Sequence, residues 1–138
     1  MDLAAIGAEV ALKLPEQYEP LLLTFYGVRT RTKGQFAVIG DDEGTEFCIE
    51  PSTGSVLSID FEGQVPTRFV NSSIGQLSRF VDGYADYARR VGLVQSEEEA
   101  AAMVRELRER LLLIDAGAFE TPECWWTLVL EQAEDGLL

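Results

Sequence analysis

Apolar positions in the second half of the chain recur every three or four residues. After Ser73 they fall at Ile74, Leu77, Val81, Tyr84, Ala88 and Val91, one face of an amphipathic helix that Gly92 punctuates. Val104, Leu107, Leu111 and Ile114 form a second such stripe in "SEEEAAAMVRELRERLLLID". There Ser96 and Glu99 are spaced as a capping box, and the first-turn acids suit the helix dipole. "TPECWWTLVLEQAEDG" predicts a third helix, with Thr121 as N-cap and Pro122 at its first position.

Ahead of these helices the period changes to two. "QFAVIG", "TEFCIE", "SVLSIDF" and "GQVPTRFVN" read as short strands, and "DDEG" and "PSTG" supply turn chemistry between them. Gly54 can take the left-handed conformation that such a hairpin loop needs. Alternation puts Thr45, Phe47 and Ile49 on one face and Glu46, Cys48 and Glu50 on the other. Leu57, Ile59 and Phe61 similarly oppose Val56, Ser58 and Asp60. Residues 1–27 read as helical with breaks at Pro15 and Pro20; a second piece, "YEPLLLTFYGV", ends near Gly27, though its Phe, Tyr and Val also suit a strand. "VRTRTKGQ" reads as a loop or an edge strand. Strands followed by helices predict a single α+β domain over residues 1–138, an antiparallel meander packed against helices.

The junction "RFVNSSIGQLSRF" raises the question of chemistry, because it holds adjacent serines and an Asn-Ser-Ser glycosylation sequon. Ser73 and Gln76 are spaced as a capping box, in which the Ser73 hydroxyl accepts from the Gln76 amide and the Gln76 side chain returns to the Ser73 amide. Asn71 and Ser72 can bond nearby backbone as the strand ends. The chain has no histidine, which removes the usual activation of a serine or cysteine nucleophile. The only lysines, Lys13 and Lys33, lack motif spacing to these serines. No catalytic residue is assigned.

Composition narrows the choices further. Asp and Glu number 24 against 11 Lys and Arg, a formal net charge of −13. A field of that sign repels nucleic acid and favours a basic protein partner. Cys48 and Cys124 show no metal-ligand spacing and read as buried free thiols, so no metal or cofactor is expected. No apolar run reaches the roughly 18 residues of a spanning helix, and the N-terminus lacks the features of a signal peptide. A cytoplasmic protein with no membrane partner and an unused sequon is expected.

The order of "GQFAVIGDDEGTEFCIEPSTGSVLSID", "FVNSSIGQLSRFVDGY" and "WWTLVLEQAEDGLL" resembles the SUKH superfamily of bacterial immunity proteins, particularly its fourth subgroup. The resemblance is clearest over residues 34–138, and the first 33 residues match less well. It implies an α+β fold and non-enzymatic work: binding and neutralising a cognate toxin of a polymorphic toxin system, often a nuclease or deaminase. Some relatives are intracellular scaffolds or regulators, which is the alternative reading.

Between Lys33 and Arg68 there is no basic residue, whereas Asp41, Asp42, Glu43, Glu46, Glu50, Asp60 and Glu62 all fall there. These acids are the candidate partner-binding residues, with Glu46, Glu50 and Asp60 expected close together on one sheet face. Asp41 and Asp42 are the best carboxylate pair for an enzymatic or metal-binding alternative, but a strand would point them in opposite directions. Of the adjacent Trp125 and Trp126, core packing is the expectation for both, with a partner contact by one as the alternative.

Overall fold

The alternating segments pair in chain order. A computed structural model describes residues 2–31 and 36–136. It opens with α1 (Leu3–Lys13), β1 (Gln17–Tyr18), a 3₁₀ turn (Glu19–Leu21) and β2 (Leu23–Arg31). The strands β3 (Phe36–Asp41), β4 (Glu46–Ile49), β5 (Val56–Ile59) and β6 (Arg68–Asn71) follow, then α2 (Ile74–Val91), α3 (Glu97–Ile114) and α4 (Trp125–Glu134). Among the described residues six strands form one antiparallel sheet in the order β1-β2-β3-β4-β5-β6. This is the α+β meander that the periodicity indicates.

The expectation of helix through residue 27 is corrected beyond Lys13, where the chain becomes strand. Leu23 and Phe25 are buried while Thr24 and Tyr26, which alternate with them, are half-buried, a pattern that pairing with β3 stabilises. The segment "VRTRTKGQ" enters β2 as far as Arg31, and its remainder, with Lys33, lies outside the described residues. Gly40 lets β2 and β3 approach, since a Cβ there would stand 2.2 Å from the Thr24 carbonyl oxygen. Gly54 takes φ 77° in the β4–β5 turn, as its position suggested.

One sheet face carries Ala37, Phe47, Ile49 and Val56 into the core beneath the helices. The helices contribute Leu77, Phe80, Leu111, Trp126 and Leu130, all fully buried. Trp125 and Trp126 are 8% and 0% exposed, so both belong to the core. On the opposite sheet face Arg29 lies 3.9 Å over the Tyr26 ring and Arg31 lies 4.7 Å over Phe61.

The Asn-Ser-Ser junction works over a longer range than local bonding. Asp115, at the end of α3, accepts from the Asn71 side-chain amide (3.0 Å), the Ser72 backbone N–H (2.8 Å) and the Ser72 hydroxyl (2.8 Å). Asn71 in turn accepts from the Trp126 indole N–H at 2.9 Å. Asn71 is fully buried, which closes the sequon to modification in the folded chain. Ser73 does cap α2, accepting from the Gln76 N–H at 3.1 Å. The reciprocal half of the box is different: Gln76 Oε1 accepts from the Ser73 hydroxyl, and its Nε2 donates to the Ile114 carbonyl at 3.2 Å. A C-terminal carbonyl of α3 without an intrahelical partner draws the carboxamide away. The third helix also begins later than expected, with Cys124 rather than Thr121 at its N-cap. Thr121 instead organises the turn before it, its carbonyl accepting from the Thr127 hydroxyl at 3.0 Å.

Replacing Ser73 by Ala should cost about 1 kcal/mol in urea unfolding. Asp115→Ala should cost on the order of 3 kcal/mol, because buried donors lose a charged acceptor. Equal and near-zero losses for both would contradict this assignment.

Candidate functional site

Asp41 and Asp42 are neighbours at the end of β3 and face opposite ways, as alternation requires. Asp42 turns inward, where Oδ1 accepts from the N–H groups of Gly44 (3.0 Å) and Thr45 (2.6 Å) and from the Thr45 hydroxyl (3.1 Å). Its Oδ2 accepts from the Trp125 indole N–H at 2.9 Å. This carboxylate therefore holds the β3–β4 turn to α4. Asp41 stands opposite Glu46 in the β3–β4 ladder, on the outer face of the sheet.

A second loop completes the wall. Asp60, just after β5, accepts from the N–H groups of Glu62 (2.9 Å), Gln64 (2.9 Å) and Val65 (3.1 Å), curling the β5–β6 connection. Those backbone donors, Glu62 foremost, hold its carboxyl below the usual carboxylate range. Between turn and loop lies a cleft of about 490 Å³, lined by Asp41, Glu43, Glu46, Asp60 and Glu62 with Arg31 and Phe61.

Five of the seven acids singled out in the sequence therefore come together. Asp42 does not join them, because its oxygens face the core side of the turn. Glu50 does not either: Glu46 pairs with Ile59, which brings Asp60 alongside, whereas Glu50 stands at the other end of the hairpin. Four residues of strand put about 13 Å between Glu46 and Glu50. Glu50 accepts from the Ser52 hydroxyl at 3.2 Å in that far turn.

Arg31 is the cation that sequence reasoning missed. Its Nε and Nη2 both donate to Glu46 Oε2 at 2.9 Å, and the guanidinium covers Phe61. Its alternation with Arg29 along β2 was the available signal, obscured because the segment also read as a loop. Phe61 packs edge-on against Phe36, with ring centroids 5.7 Å apart. The cleft thus has an aromatic floor and an acidic rim, suited to cationic groups that can lie flat on a ring while meeting carboxylates.

Burial, reinforced by Glu46, pushes the Cys48 thiol up to about 12, away from a reactive thiolate. Both cysteines are free and buried. Among the described residues no group of three or more His, Cys, Asp or Glu is arranged to hold a metal ion. No described helix is long and apolar enough to cross a membrane.

A family model described as SUKH-4 immunity protein matches residues 27–132, from within β2 almost to the end of α4. The chain belongs to the SUKH-4 immunity protein family, and that membership supports an immunity function. Neither a curated protein nor a solved structure matches the chain.

The Asp60 bonds carry a pH signature. A carboxyl whose folded pKa lies below its unfolded value stabilises the folded loop above the ordinary carboxylate range, and this is lost as pH falls through the folded pKa. Amide exchange at Glu62, Gln64 and Val65 should be protected near neutrality and exposed by Asp60→Ala. Unchanged protection in that variant would contradict Asp60 as the organiser of the loop.

Proposed function

We propose that this protein neutralises a cognate bacterial toxin by presenting the acid-lined cleft to a basic surface around the toxin's active site. The observation that carries the reading is the convergence of Asp41, Glu43, Glu46, Asp60 and Glu62 on one cleft in a member of an immunity-protein family. The work is non-enzymatic, since occupying the partner's site is sufficient.

A toxin that acts on nucleic acid, such as a nuclease or deaminase, needs cations where its substrate's phosphates lie. Carboxylates spaced along a turn and a loop can stand in for those phosphates. With a net charge of −13, long-range attraction speeds encounter, and the cleft supplies the local match. The aromatic floor beneath Arg31 adds a surface on which a partner arginine can stack once Arg31 swings aside. Asp42 and Glu50 act differently, Asp42 by fixing the turn and Glu50 by adding only to the general field.

Co-expression with a cognate toxin domain, sought among neighbouring genes, should restore growth, and the two proteins should co-purify. Reversing Glu43, Glu46 and Glu62 together to Lys should weaken association roughly tenfold or more, mainly through a slower on-rate with flattened salt dependence. Glu50→Lys should change it far less. Rescue and binding that survive the triple reversal would overturn the cleft as the contact surface. Binding to a different host protein, without toxin rescue, would favour a scaffold role.

A further inference from the structure

On the core side of the same β3–β4 turn lies a second concavity, a groove of about 290 Å³ between α4 and the end of the sheet. Its apolar wall is formed by Pro20, Leu22, Trp125, Leu128 and Val129. Thr45 lines both this groove and the acidic cleft, so the two are separated only by the thickness of the turn.

Leu22 is out of place by two criteria. It is 56% exposed, and it holds a left-handed backbone, φ 58° and ψ 29°, where a branched side chain is disfavoured. Asn or Gly would suit this position better in both respects. A strained conformation that carries an exposed apolar side chain into a groove is the pattern expected of a binding contact.

The polar lining adds direction. Arg68 donates to the Glu123 carbonyl at 3.0 Å, and among the described residues no ion pair involves it, in a chain with 24 acids. Asp42, the one carboxylate lining the groove among the described residues, has both oxygens engaged by Gly44, Thr45 and Trp125. The groove therefore offers a guanidinium with spare donors and no spare carboxylate, the reverse of the cleft across the turn. An occupant with an apolar body and a negative group complements both parts.

We propose that this groove is a second docking point, which seats an apolar side chain flanked by a carboxylate on the protein that the acidic cleft engages. The proposal rests on the reading of the cleft as a toxin-binding surface. The partner grips the β3–β4 turn from both sides, basic groups on the outer face and the apolar anchor on the inner. Charge across the cleft governs how fast the complex forms, and the anchor governs how long it lasts.

N-acetyl-leucine, which has an apolar body and one carboxylate, is the minimal probe. It should shift the Trp125 indole and Val129 methyl resonances saturably in the millimolar range, several-fold more tightly than N-acetyl-leucinamide. Arg68→Gln should abolish that difference. No saturable shift, or equal binding of the two probes, overturns the proposal. In the toxin complex, Leu22→Asn should leave the unfolding midpoint unchanged or raised while speeding dissociation at least tenfold, equally at low and high salt. An unchanged complex lifetime overturns the anchor; if the Glu43, Glu46 and Glu62 reversal still slows association, the cleft reading stands without it. If neither variant affects the complex, both readings fall.

Discussion

One buried carboxylate determines how the two halves of this fold meet. Asp115 ends α3 and is 5% exposed, yet it accepts three hydrogen bonds from Asn71 and Ser72 at the end of β6. Asn71 passes the constraint on to Trp126, at the start of α4. Strand, helix end and following helix are thereby locked in one arrangement, and none of the groups involved is left unsatisfied. A network of this kind stabilises one packing over its alternatives, since any shift of helix against sheet would strand a buried charge.

The consequences reach the opposite end of the sheet. With Trp126 fixed, the adjacent Trp125 lies against Phe47, ring centroids 5.2 Å apart, and its indole reaches Asp42. That bond holds the β3–β4 turn and directs Asp41 and Glu43 into the cleft. Charge is thus displayed on a turn that is held from beneath by a core tryptophan. Preorganised carboxylates lose little conformational freedom on binding, which favours affinity without enlarging the interface.

Much of this was legible in the chain. The three- and four-residue spacing of α2 and α3, the alternation in β4 and β5 and the Ser73 and Ser96 caps all rest on neighbours within a few positions. The same alternation separates Asp41 from Asp42. Other features depend on distant partners: Asn71 meets Asp115 across 44 positions and Asp42 meets Trp125 across 83, with no local signal for either. Glu50 was grouped with Glu46 by its face, but hairpin register decides which end of a strand a side chain occupies. The stretch from Gln17 to Arg31 concealed its strands because Pro20 and a run of leucines hid the period, and pairing with β3 settled the outcome.

We propose that the protein meets its partner at the end of the sheet formed by the β3–β4 turn and the β5–β6 loop. Hydrogen exchange of the free protein and of its complex with the cognate toxin domain tests this directly. New protection is expected over residues 41–46 and 60–65, with exchange along the exposed faces of α2 and α3 unchanged. Protection confined to those helical faces, with the turn and loop exchanging as in the free protein, would contradict it.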